Sequence, residues 1–106
     1  MTKKLPPIHP GEILREEFLK PLGLSQSGLA IALRTPLQRI HDIVHGRRGV
    51  TVDTAVRLAT YFGTTPEFWL NLQMRHDLEK AEDEGLIDRV AADVRPMDAS
   101  AGQTRA

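Results

Sequence analysis

Cysteine is absent from the chain, which removes a disulfide framework, thiolate metal sites and thiol nucleophiles together. No stretch approaches the about 20 consecutive apolar residues that a membrane span requires. The opening segment MTKKLPPIHPG has two lysines but no apolar region behind them, so it does not read as a signal peptide. Net charge is zero, with 14 basic and 14 acidic side chains, which argues against an indiscriminate nucleic-acid binder. No internal repeat and no convincing strand is present. At 106 residues the expectation is a single small domain with one core, cytoplasmic and without a membrane partner.

The charges are unevenly placed. Arg34, Arg39, Arg47, Arg48 and Arg57 face only Asp42 and Asp53 in the middle of the chain, whereas residues 77–98 are predominantly acidic. A basic centre with an acidic C-terminal arm suits two surfaces with different partners.

Helical signals follow one another along the chain. Pro10-Gly11-Glu12 opens a first helix with an acidic first turn and an Ile13/Leu14/Phe18 face, and Pro21 is expected to end it. Thr51 caps a fourth, in which Ala55, Leu58, Ala59 and Phe62 recur at helical spacing before Gly63. Thr65 caps a fifth, opened by Pro66 and stopped at Gly85, with Phe68 and Trp69 as core anchors. Leu70, Met74 and Leu78 mark a second stripe on that helix, a candidate dimer surface. Residues 1–85 read as the folded domain, and 86–106 as a weakly structured or disordered tail, with a weak helix or coil at Leu86–Val94.

The organising stretch is Ser25 to Gly46. Ser25 is a good N-cap, Leu29, Ala30 and Leu33 share one face, and the run stops at Arg34-Thr35-Pro36. Thr35 is expected to cap a second helix with Pro36 at its first position, and Ile40, Ile43 and Val44 form its buried stripe up to Gly46. Two short helices, a tight turn and a small residue where the backbones approach make a helix-turn-helix. Gln38 and Arg39 lie in the first turn of the second helix, where side chains reach base edges, and each suits a bidentate base contact. Gln26, His45, Arg47 and Arg48 are placed for phosphates.

With Gln26, Leu29-Ala30, Leu33, Ile40, Ile43 and Gly46 in register, the stretch resembles the phage-repressor-like (XRE) helix-turn-helix family. It departs at Arg34, where the family usually has glycine, and at Thr35, where it usually has an apolar residue. Either Arg34 is left-handed, at a strain of order 1 kcal/mol, or the turn is built differently. Along with VHGRRGVT, two further signatures, IHPGEILREEFL and TTPEFWLNLQ, resemble the HigA subfamily over roughly Pro7 to Leu78. That resemblance implies an all-α, five-helix domain with an extended C-terminal helix. It also implies a dimeric antitoxin that holds a RelE-like mRNA-cleaving toxin (HigB) and represses its own operon at an inverted-repeat operator. By the same register, Leu37, Gln38 and Asp42 align with base-reading positions.

Two rivals come from other classes. A solitary XRE regulator without a toxin would carry the same motif. His41 and His45, four residues apart on one face, have the spacing of a zinc-hydrolase pair. Asp42 is a poor substitute for the glutamate base of such enzymes, and a third ligand is wanting. The expectation is therefore no catalytic residue, no metal and no cofactor.

Overall fold

The computed structural model describes residues 5–97, and within them the chain forms six helices. The first, residues 10–22 (α1), is one continuous run made of an α-helical turn Pro10–Ile13, a π-helical stretch Leu14–Leu19 and a last turn Lys20–Leu22. It is followed by α2 (Gln26–Leu33), α3 (Leu37–Val44), α4 (Val52–Phe62), α5 (Pro66–Asp83) and α6 (Leu86–Asp93).

One apolar cluster holds α1 to α5 together. Leu14, Leu29, Ile40, Ile43, Ala55, Leu58 and Trp69 are fully buried, and Phe18, Leu24, Phe62, Leu70 and Leu72 pack against them from the margin. Trp69 is the central anchor, and its indole N–H donates to Thr64 Oγ1 at 2.8 Å. Phe68 sits at the rim, still 38% exposed, edge-on to Trp69. The two members of the expected anchor pair therefore have different roles. Consecutive residues on a helix point about 100° apart, so only one can face the centre.

The caps at Ser25, Thr51 and Thr65 are made. Each hydroxyl accepts the N–H three residues on, from Gly28, Thr54 and Phe68 respectively. Three other expectations are corrected. Pro21 does not end α1: the helix runs through it to Leu22 and stops at Gly23, which is left-handed at φ 62°. The π-helical register explains the tolerance. Lys20 N–H already bonds five residues back, to Arg15 C=O, so the hydrogen bond Pro21 cannot make falls where the regular ladder has been broken. Leu24 N–H then reaches back to Leu19 C=O and Gly23 N–H to Lys20 C=O, closing the helix in a Schellman motif.

The motif turn is also different. Pro36, with extended ψ of 142°, is itself the N-cap of α3; the helix begins at Leu37, and Thr35 caps nothing. Thr35 Oγ1 is buried without a hydrogen-bond partner. Arg34 takes the left-handed conformation, φ 58° and ψ 46°, in the place where glycine would be relaxed. Thr35 N–H bonds back to Ala30 C=O and Arg34 N–H to Ile31 C=O, so the backbone closes as it would with glycine there.

The last correction is the helix count. Leu86, Ile87 and Val90 lie on a sixth helix rather than in coil, set off from α5 by left-handed Gly85 and tied back by Arg89, whose guanidinium donates to the Glu84 carbonyl at 2.7 Å. None of its residues is buried. The expectation of disorder falls mainly on residues 98–106, outside those described. Among the described residues no helix is long and apolar enough to cross a membrane.

Candidate nucleic-acid interface

The position of α3 is set from behind before its outer edge is considered. Ile40, Ile43 and Val44 turn inward and are buried. Gly11 of α1 lies directly behind them. A Cβ on Gly11 would fall on the Ile43 carbonyl oxygen, with Val44 Cα at 3.0 Å, so only glycine lets α1 approach so closely. Arg57 of α4 donates from one Nη to the Leu33 carbonyl at 2.9 Å, satisfying an orphan acceptor at the end of α2. These contacts fix both motif helices on the core.

The opposite edge of α3 is polar. Leu37 is 49% exposed at its start and Gln38 is exposed beside it. Gln38 Nε2 donates to Asp42 Oδ1 at 2.8 Å, one turn further on. Arg39 is half-buried, with Nη1 3.3 Å from Asp53 Oδ2, and Arg57 Nε donates to the same oxygen at 2.9 Å. The hydrogen bond from Arg57, and behind it the charge of Arg39, hold the Asp53 carboxyl below its ordinary range. Asp53 therefore keeps its charge and restrains both arginines. Such an exposed pair contributes little to stability and can be exchanged for a phosphate or a base.

The remaining candidates surround the same edge. Gln26, the first residue of α2, meets His41 through Oε1 and Nδ1 at 3.3 Å, joining the two motif helices by their side chains. His45 turns its Nδ1 to the His41 carbonyl at 2.8 Å, and the two imidazoles lie with centroids 4.1 Å apart. Both Nδ1 atoms face oxygen acceptors. Among the described residues no group of three or more histidine, cysteine, aspartate or glutamate side chains is gathered as a metal site would need.

The basic loop after α3 is not loose. Gly46 is left-handed at φ 74°, its N–H bonds to Ile43 C=O, and the Arg47 and Arg48 N–H groups both reach the Asp42 carbonyl, at 2.8 and 3.2 Å. Further along, Val50 N–H donates to Gln73 Oε1 at 2.7 Å, and the Gln73 amide lies against Gly49. One glutamine on α5 thus pins the far end of the loop that carries Arg47 and Arg48.

The structure therefore places Gln38, Asp42 and Arg47 together on the polar side of α3, with Leu37 and Arg39 on its two flanks, His45 and Arg48 at its C-terminal end, and Gln26 against His41. Asp53, which bonds Arg39, and Gln73, which bonds Val50, act across the fold on residues far away in sequence, where no local pattern points to them. The only sequence sign of Gln73 is its place in the TTPEFWLNLQ signature. Leu70, Met74 and Leu78 lie on another element altogether. Met74 and Leu78 are exposed on α5, while Leu70 is half-buried against the core.

Comparison with known proteins agrees with this arrangement. A family model described as helix-turn-helix matches residues 15–69. Virulence-associated protein I of Dichelobacter nodosus is 56% identical over 79 residues, which is 74% of this chain and 73% of that protein. The antitoxin HigA of Pseudomonas aeruginosa, solved with the higBA promoter, superposes with a TM-score of 0.81 at 40% identity, covering 87% of this chain and 99% of that one. The antitoxin GraA in complex with its operator gives a TM-score of 0.82 at 44% identity, covering 93% and 99%. Motif register and these likenesses agree: the chain belongs to the helix-turn-helix family and, within it, to the XRE-like antitoxins of the HigA type.

Proposed function

We propose that this chain is the antitoxin of a type II toxin–antitoxin module. As a homodimer it binds an inverted-repeat operator and represses its own operon, and it neutralises a HigB-like, mRNA-cleaving toxin by direct binding. The protein works in the cytoplasm and is not an enzyme. The observation that carries the DNA half of this reading is the edge of α3: Gln38 exposed in the first turn, with Arg47 and Arg48 held on a pinned loop at the other end. Two similar chains, HigA and GraA, have been solved with promoter or operator DNA.

In this reading Leu37, Gln38 and Arg39 face the base edges, with Asp42 beside Gln38. Leu37 can offer only apolar contact to a thymine methyl, whereas Gln38 and Arg39 can pair bidentately. Gln26, His45, Arg47 and Arg48 take phosphates, fixing the register without reading sequence. Met74 and Leu78, with Leu70 nearer the core, join two subunits. The toxin is held outside the motif, on α1, on α5 or on the acidic C-terminal arm, which complements the basic surface of a ribonuclease.

The test has two arms. Co-purification from the native host is expected to bring down a small basic partner with the chain; its absence would favour a solitary regulator. Binding to the chain's own promoter is expected to fall steeply with salt. Replacing both Arg47 and Arg48 by alanine should weaken all duplexes alike and reduce the salt slope by about two per subunit. An unchanged slope would remove both arginines from the phosphate contacts.

A further inference from the structure

Asp42 stands on the reading edge, yet its side chain is already occupied. Only 20% of it is exposed. Its Oδ1 accepts from Gln38 Nε2 at 2.8 Å and lies 3.5 Å from an Nη of Arg47. Its backbone carbonyl holds the Arg47 and Arg48 N–H groups. To reach a base through Oδ1 the carboxylate would have to release both side chains. It would also stand, as an anion, among phosphates.

The bond to Gln38 has a chemical consequence. A carboxylate only accepts, so it decides which way the glutamine amide faces: the nitrogen must turn toward Asp42. An amide nitrogen has two hydrogens. Giving Asp42 the one on the far side from Oε1 leaves Oε1 and the other hydrogen together on one edge. That edge is one acceptor beside one donor, the complement of adenine N6–H and N7. Guanine presents two acceptors, N7 and O6, in the major groove. A glutamine free to rotate could turn its NH₂ group toward them; one held by Asp42 meets O6 with an oxygen of its own.

We infer that Asp42 is a positioning residue that holds the Gln38 amide in the orientation selecting adenine over guanine, and does not itself read a base. The inference rests on the DNA-binding reading and names the base chemistry of one position within it. Arg47 completes the device, because its guanidinium offsets the negative charge that the clamp brings to the DNA surface.

Selection from a randomised duplex library with the full chain tests this, using wild type, Asp42→Ala, Asp42→Asn, Gln38→Ala and the double alanine variant, with thermal melts to establish folding. The base pair that loses its preference in Gln38→Ala should favour adenine over guanine by about tenfold or more in wild type. In Asp42→Ala the adenine-to-guanine ratio at that same pair should fall toward one, with other positions unchanged. Affinity for a scrambled duplex should meanwhile rise several-fold, a gain that misfolding would not produce. Asp42→Asn can donate as well as accept, so it no longer dictates which way the amide faces, and its adenine-to-guanine ratio should fall below that of wild type. The double variant should read that pair no worse than Gln38→Ala alone. A preference lost at a different pair, or an unchanged ratio in Asp42→Ala, overturns the inference, as does an Asp42→Asn ratio equal to that of wild type. If wild type enriches no sequence at all, the DNA-binding reading fails, and the assignment to Asp42 with it.

Discussion

His9 has a duty that requires it to be neutral. Its Nδ1 accepts the Gly11 N–H at 2.9 Å as the N-cap of α1, and a protonated ring has no lone pair there to offer. Burial, and then the neighbouring His76 at 4.8 Å between ring centroids, lower its pKa from the ordinary 6.5; Asp77 and the Arg48 backbone pull the other way, and Lys80 adds to the lowering. On acidification the unfolded chain therefore takes up this proton before the folded one. The stability contributed by neutral His9 is complete above pH 6.5 and is lost as the pH falls from there through the lower folded value. Thermal melts from about pH 7.5 to about pH 5 should show the loss. His9→Asn, which keeps an oxygen to cap Gly11 but does not titrate, should flatten that part of the profile. Parallel profiles for the two proteins would remove His9 as the titrating group.

Among elements, the contact of α1 with α3 depends on Gly11. The obstacle to any side chain there is the Ile43 carbonyl, and backbone cannot rotate aside as a side-chain tip can. Gly11→Ala should cost about 1–3 kcal/mol in urea unfolding. Because the displaced element is the reading helix, operator affinity should fall even at temperatures where the variant is fully folded. Unchanged affinity in the folded variant would show that α3 keeps its place without α1. This contact also marks where sequence reasoning reached and where it stopped. Ser25, Thr51 and Thr65 could be read as caps because capping acts within one turn, and the Ile40/Ile43/Val44 stripe because helical period reveals a buried face. The clearance at Gly11, the Val50–Gln73 bond and the Asp53 bridge to Arg39 join residues 32, 23 and 14 positions apart, and no local pattern encodes such pairings. Pro21 departs from its local pattern for a related reason: its cost to a helix assumes regular i−4 bonding, which the π-helical stretch before it has already abandoned. At Thr35-Pro36 the expected cap fails because Pro36 has an extended ψ of 142°, which starts the helix one residue later and leaves it without a side-chain cap.

At the scale of the whole molecule, one helix-turn-helix reaches only a few base pairs, and the proposed dimer would set two copies of α3 at the spacing of a helical turn, about 34–36 Å. The proposed junction is the outer face of α5, where Met74 and Leu78 remain 63% and 53% exposed in the single chain, beyond what its own core can cover. Linking two half-site contacts raises avidity by about 10²–10⁴ without any new contact to DNA, provided the link holds both copies in register. Leu78→Asp would place a carboxylate in that junction while leaving the motif and the core untouched, since Leu78 belongs to neither. The mass in sedimentation equilibrium should fall to that of a monomer. Affinity for the full operator should drop by about 10²-fold or more, while affinity for an isolated half-site stays within about twofold. The last comparison is the decisive one: equal losses on both duplexes would mean that α3 had been disturbed, and an undiminished dimer mass would move the junction to another face.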